Sequence, residues 1–189
     1  MLPAVFVRDE FLSREQCRSI RLAMGIGEQS PAEIYDGQFV VDERMRRSID
    51  VGIDETTVIS MEAALARIRP ELSRFFGVPL SSNEGAGFLR YHTGGFYRPH
   101  RDCIEAPESP YARRVSVIVF LTDARSTAHG ELEDGECAGG ALRVCSDDGA
   151  ESVDVYPRAG TLVAFKAQTV HEVRCVTAGV RDVVVDWCY

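Results

Sequence analysis

A chain of 189 residues is long enough for one domain to bury a core without disulfides. Its 45% hydrophobic and 26% charged content argue against disorder, and no run approaches the ~18–20 apolar residues of a membrane span. A net charge of −8 argues against a protein that works by neutralising phosphates, so nucleic acid is not an expected partner.

The opening MLPAVFVRDEFLS has no basic region before its apolar residues and is broken by Arg8, Asp9 and Glu10. It does not read as an export signal, and the expected location is cytoplasmic. The six cysteines show no CxxC pair and no zinc-ribbon spacing, consistent with reduced thiols. Cys103, beside Asp102, reads as a buried bystander.

VFVRDEFLS predicts a short strand, and Ser13 with Gln16 forms an S-x-x-Q capping box for the helix that follows. Cys17, Ile20 and Met24 would be the buried side of that helix. Glu28 to Gly52 shows no period, and its Arg44, Arg46 and Arg47 read as a solvated face. A second helix is expected from about Thr56, with Ile59, Ala63, Ile68, Leu72 and Phe75 as its apolar positions. Pro70 would kink or break it, and Gly77 and Pro79 would end it.

From Gly85 the character changes. GFLRYH, VSVIVFLT, ALRVC, SVDVY, TLVAFK, HEVRCV and RDVVVDWCY are short, valine-rich runs separated by turn residues. Helices followed by many short strands indicate an α+β domain whose second part is a sandwich or barrel. Residues 1–84 would be supporting elements of the same globular unit, and residues 85–189 its β core. The polar insert TDARSTAHGELEDGECAGG reads as a mobile loop.

The chemistry concentrates in YHTGGFYRPHRDC. On an extended chain His100 and Asp102 share one face, because side chains alternate with period two. An imidazole and a carboxylate make two legs of a metal site. Of the three other histidines, His92 needs a fold-back at Gly94-Gly95 and His129 sits in the acidic insert. His171, after the strand TLVAFK and a short turn, is the strong candidate. Two histidines and a carboxylate leave coordination positions open, which suits non-haem Fe(II); zinc is the competing ion. By itself a His-x-Asp pair could be no more than a surface hydrogen bond.

Arg181 lies ten residues beyond His171. Alternation in RDVVVDWCY puts it on the face of Val183, Val185 and Trp187, where a guanidinium is expensive unless it meets an anion. Its planar fork matches a carboxylate, so a diacid chelating the metal at one end could be clamped at the other. The bland alternative is an ion pair with a local acid.

YHTGGFYRPHRD, RRVSVIVFLT, GGALRV and VHEVRCVTAGVRDVVVDW together resemble the Fe(II)- and 2-oxoglutarate-dependent dioxygenases of the prolyl 4-hydroxylase type. The resemblance spans roughly Gly85 to Tyr189; FVRDEFLSREQC is similar more weakly to that family's opening strand and helix. It implies a double-stranded β-helix (jelly roll, cupin-like) with N-terminal helices packed on its major sheet. It also implies that His100, Asp102 and His171 are the catalytic iron ligands and that Arg181 binds the distal carboxylate of 2-oxoglutarate. Tyr91 matches a tyrosine lining the co-substrate pocket, and Ser116 a hydroxyl near the same carboxylate. Tyr97, Arg98 and Trp187 fall on the substrate side, where Tyr97 and Trp187 could equally be core aromatics. Phe120 stands where animal relatives carry tyrosine, and Gly139-Gly140 reads as a strand bend.

The implied reaction hydroxylates a C–H bond with O2, releasing succinate and CO2; ascorbate enters as a candidate auxiliary reductant. The implied substrate is a prolyl or other residue of a protein, with a free amino acid or other metabolite as the alternative and a non-oxygenase metal protein behind it. Nucleobase demethylation is disfavoured because no arginine follows Arg181. Asp123 to Gly140 and Glu28 to Arg47 are expected to shape the substrate entrance.

Overall fold

The computed structural model describes residues 2–35, 37–103, 109, 112–125, 131–146 and 148–189. The chain opens with strand β1 (Phe6–Arg8) and helix α1 (Arg14–Ile26). The capping box closes as the spacing requires: the Gln16 amide donates to Ser13 Oγ and the Ser13 amide to Gln16 Oε1. Cys17, Ile20 and Met24 form the buried face of α1.

Where no period was legible, the chain makes β2 (Gln29–Pro31), β3 (Ile34–Tyr35), β4 (Phe39–Val40), β5 (Arg46–Arg47) and β6 (Ile49–Val51). Strands of two or three residues are too short for alternation to register. Helix α2 (Glu55–Phe76) follows, capped by Asp54 and ended by Gly77 in the left-handed region at φ 65°. Its buried stripe is Met61, Leu65, Ile68, Leu72 and Phe76. Ile59 and Phe75, expected on that face, are 58% and 50% exposed. They sit off the stripe, and Phe75 instead packs edge-on against Phe6 at the helix end. Pro70 lies inside α2 without ending it, on an exposed stretch where water can serve the carbonyl deprived of its donor.

Ten further strands complete the chain. They are β7 (Gly87–His92), β8 (Phe96–His100), β9 (Val115–Phe120), β10 (Asp123–Ala124), β11 (Glu136–Gly139), β12 (Leu142–Cys145), β13 (Ser152–Val155), β14 (Leu162–Lys166), β15 (His171–Val173) and β16 (Val176–Cys188). One sheet of nine strands runs β1-β14-β9-β16-β7-β6-β2, with β10 and β11 attached beside β16. The other runs β13-β12-β15-β8-β5, and β3 with β4 forms a separate hairpin.

Strand β9 explains the layering. All six of its residues are buried, the signature of a strand covered on both faces. Val115, Val117 and Val119 join the cluster containing the buried faces of α1 and α2. Ile118 and Phe120 point the other way, into a cluster shared with Leu142, Val144 and Val173 of the second sheet. The result is the double-stranded β-helix of the resemblance, with both helices on the larger sheet. The polar insert carries β10 and β11 at its ends; His129 and its neighbours 126–130 lie outside the described residues.

Candidate active site

Antiparallel pairing of β8 with β15 sets His171 opposite His100 and Val173 opposite Tyr97. Two residues on β15 therefore span three on β8, a bulge. Strict alternation would put Arg98 on the His100 face and turn Tyr97 away; the extra residue exchanges them. Tyr97 faces the interior and stacks on His100, with ring centroids 3.5 Å apart and 16° between planes. Arg98 is exposed, its guanidinium over the Phe96 ring, and it does not line the cavity. Asp102 follows the end of β8, where its amide donates to the Ala167 carbonyl at 2.9 Å.

This local geometry brings three side chains together. His100 Nε2 lies 3.5 Å from Asp102 Oδ1, and His171 Nε2 lies 3.4 Å from Asp102 Oδ2. The three ligand atoms fall within 4.8 Å of one another, the one such group with metal-ligand spacing among the described residues. His92 is exposed on β7, opposite Val180, and is not part of it.

Each imidazole is oriented by its own backbone. His100 Nδ1 donates to the Arg98 carbonyl at 2.7 Å and His171 Nδ1 to the Thr169 carbonyl at 2.9 Å. A carbonyl can only accept, so both rings carry a proton on Nδ1 and turn Nε2 inward, the atom that metal-binding histidines present. Burial disfavours the Asp102 carboxylate, but the flanking His171 and His100 outweigh it and hold Asp102 well below the usual carboxylate range. Without a metal that lowering comes from positive charge on His171 and hydrogen bonds from both imidazoles. An anion between two inward-facing Nε2 atoms, which deprotonate on binding, fits a divalent cation.

Ser116 belongs to this end of the site. It is 1% exposed, and its hydroxyl donates to Asp102 Oδ2 at 2.6 Å. The resemblance had implied a hydroxyl near the distal co-substrate carboxylate. Register explains the different placement: Ser116 lies opposite Trp187 and Arg181 opposite Tyr91, so about 20 Å of extended β16 separates the two stations. Occupying Oδ2 directs Oδ1 toward a metal. Ser116→Ala is expected to weaken Fe(II) affinity of the apoprotein by about 10–100-fold, with Ser116→Thr restoring most of it. Metal titration reads this directly; unchanged affinity in the alanine variant would remove Ser116 from the site.

Arg181 occupies the opposite end. It is 1% exposed, its Nε donates to the Gly140 carbonyl at 2.8 Å, and both Nη atoms are buried without a partner. Among the described residues no acid pairs with it: Asp182 projects to the other face and accepts two 2.8 Å bonds from Arg90. The guanidinium carbon sits 5.0 Å from the Tyr91 ring centroid and 5.3 Å from that of Phe120. Burial pulls its pKa down from the ordinary arginine value. Gly140 has φ 65°, and a Cβ there would come 2.8 Å from Arg181 Cδ, so this glycine makes room for the arginine as well as bending the strand. Two orphaned donors in an apolar wall are what an absent carboxylate would satisfy.

Between these ends lies a cavity of about 660 Å³, lined by the triad, Tyr91, Tyr97, Ile118, Val185 and Trp187 among others. Arg181 itself stops short of the cavity surface, beside the lining residue Tyr91. Burial pushes the Tyr97 phenol up to about 12, so it stays neutral at physiological pH. Arg46, Glu84, Arg113 and Tyr189 are among the lining residues that the sequence did not single out for the site. Arg46 had been assigned to a solvated face, but it lies over Tyr97 at 4.9 Å. Glu84 accepts from Arg113 and from the Tyr189 hydroxyl, and Arg113 stacks 3.8 Å over Trp187. Glu33, Ile34, Tyr35 and Phe39, from the segment Glu28 to Arg47, also line the cavity. No described residue of the segment from Asp123 to Gly140 lines it.

A family model described as the 2OG-Fe(II) oxygenase superfamily matches residues 86–189, more than half of the chain. The chain belongs to the 2OG-Fe(II) oxygenase superfamily. It is accordingly an oxygenase that uses Fe(II) and 2-oxoglutarate, and the donor set described above fits both. A prolyl-4-hydroxylase from Pseudomonas putida shares 25% identity, with a TM-score of 0.74 over 97% of this chain and 91% of that one. A viral collagen prolyl hydroxylase from Paramecium Bursaria Chlorella virus-1, solved as a 2-oxoglutarate complex, is 18% identical, with a TM-score of 0.64 over 97% and 94%. A Trichoplax adhaerens prolyl hydroxylase, bound to a peptide fragment of the hypoxia inducible factor oxygen degradation domain, is 18% identical, with a TM-score of 0.70 over 98% and 83%. No protein of curated function matches this oxygenase significantly.

Proposed function

We propose that this oxygenase hydroxylates a prolyl residue, or a closely similar residue, of a peptide or protein chain. His100, Asp102 and His171 would hold Fe(II), and Arg181 would bind the far carboxylate of 2-oxoglutarate in a bidentate fork. The carrying observation is the pairing of an inward-facing His-Asp-His triad with a buried arginine whose two Nη donors lack partners. When bound, iron and 2-oxoglutarate together supply the oxidising chemistry: O2 converts the co-substrate to succinate and CO2, and its second oxygen atom enters a substrate C–H bond.

The chain's own residues position these groups and shield them from water. The Arg98 and Thr169 carbonyls fix both imidazoles, and Ser116 fixes the carboxylate. Tyr91, Ile118 and Val185 line the space between triad and arginine with rings and methyl groups, which excludes water and strengthens the arginine–carboxylate attraction. Tyr97 stiffens His100 by stacking, and Trp187 with Arg113 walls the side open to substrate. The prolyl assignment is supported by the shared fold with three prolyl hydroxylases, one of them bound to a peptide. An open cavity flanked by the exposed aromatics Tyr35 and Phe39 suits a ring-bearing segment of chain.

The test incubates iron-loaded protein with 2-oxoglutarate, O2 and host protein extract, with and without ascorbate. Succinate release should accompany a one-oxygen mass gain on prolyl residues. Succinate release with the gain on free amino acids alone would replace the peptide assignment with a metabolite one.

A further inference from the structure

The cavity contains a cation that neither the triad nor the co-substrate uses. Arg46 projects from β5, at the edge of the smaller sheet, toward the substrate side. Its Nε donates to Ser48 Oγ and its Nη1 to the Glu33 carbonyl, both at 2.8 Å. Its guanidinium carbon lies 4.9 Å over the Tyr97 ring, and Tyr97 is the ring stacked on His100. The guanidinium is thus held by two hydrogen bonds, one aromatic ring away from the candidate metal triad.

Three other arginines near the cavity have acids to meet. Arg113 is matched by Glu84, Arg44 by Asp42 and Arg90 by Asp182. Arg46 forms no ion pair with a described residue; Glu33, although a lining residue, offers it a backbone carbonyl. A guanidinium has five N–H donors, of which Arg46 commits two. Arg101, also lining the cavity, donates to the Gln168 carbonyl, and Arg47 and Arg98 flank Phe96 on the neighbouring surface. In a chain of net charge −8, this cavity edge is locally cationic.

We infer that the substrate bears a carboxylate and that Arg46 is the specificity-determining residue that binds it. This rests on the cavity being the site of oxidation. A single pinned guanidinium presents one planar edge, which suits a planar carboxylate better than a phosphate needing donors from several sides. Because Arg46 is fixed before the substrate arrives, little ordering opposes the contact. Its stacking on the ring beside His100 sets the anion about one or two residues from the oxidised carbon. The carboxylate could be an acidic side chain next to the target residue or the terminal carboxylate of a short substrate.

The sole tryptophan, Trp187, lines the cavity, so its fluorescence reports occupancy. Mn(II)- and 2-oxoglutarate-loaded protein is titrated without oxygen against three peptides: an amide-capped proline flanked by glutamates, its glutamine counterpart, and that counterpart ending in a free carboxylate after proline. One of the two carboxylate probes should bind roughly tenfold more tightly than the capped neutral peptide, and which one does identifies the carboxylate's source. In Arg46→Gln this preference should fall to within about threefold, while 2-oxoglutarate affinity measured alone stays within about twofold. Arg46→Lys, which keeps the charge without the fork, should retain an intermediate preference and covers the case in which Arg46→Gln fails to fold. A wild type that shows no preference for either carboxylate, or a preference that survives substitution intact, overturns the inference. A charge preference with no hydroxylation of any probe once iron and O2 are supplied would count against the prolyl reading alone.

Discussion

Arg181→Met is expected to stabilise the ligand-free protein and to remove its affinity for 2-oxoglutarate. Arg181 is enclosed to 1% exposure with two unpartnered nitrogens, so the apoprotein carries a desolvated cation that no described residue neutralises. Methionine fills similar space between Tyr91 and Phe120 without that penalty. Replacing buried charge by packed apolar side chains is neutral or stabilising by about 1–4 kcal/mol. For a chain of this size, that raises the melting temperature by up to about 10 °C.

The ligand response should reverse. In the wild type, 2-oxoglutarate at a hundred times its Kd stabilises by about 2.7 kcal/mol. In Arg181→Met the same addition should do nothing, reflecting the loss of a charge-assisted bidentate contact and at least about a hundredfold in affinity. Melting curves with and without 2-oxoglutarate, in Mn(II)-loaded protein, check both halves together. A destabilised variant that still responds to the co-substrate would refute the clamp.

His171→Ala should reduce turnover below roughly a thousandth of wild type and abolish stoichiometric Fe(II) binding. The substitution removes one of three ligands and leaves His100 and Asp102, a pair that does not hold a catalytic ion in a defined geometry. Fold should survive, because His171 lies at the start of a three-residue strand whose register also depends on Glu172 and Val173. Metal content by mass spectrometry and succinate release by the loaded protein test the assignment; near-normal values for both would exclude His171 as a ligand. A His171→Ala protein that fails to bind iron while retaining 2-oxoglutarate affinity through Arg181 would separate the two ends of the site.

The legible part of this protein is the part that repeats or sits alone. Alternation in RDVVVDWCY placed Arg181 on an apolar face without coordinates, because one dyad of side chains follows directly from strand geometry. The Ser13–Gln16 box and the Gly77 stop were readable because a capping residue acts within one turn of its own helix. His100, Asp102 and His171 stood out because only four histidines compete for the role. The buried face of α2 was partly misread: Ile59 and Phe75 are apolar, and local pattern cannot show that the underlying sheet meets a neighbouring stripe.

Periodicity, scarcity and local capping thus pointed to an α+β domain with a sandwich or barrel, to His171 as the candidate partner of His100 and Asp102, and to an arginine on an apolar face. The double-stranded β-helix and the full ligand set came with the family resemblance. The β8 bulge that exchanges Tyr97 for Arg98, the assignment of Ser116 to Asp102, and the recruitment of Arg46, Glu84, Arg113 and Tyr189 were decided only in three dimensions. Each depends on register or on contacts between segments far apart in the chain. A strand's alternation says which side chains share a face, but only its pairing with a specific partner says what stands opposite them.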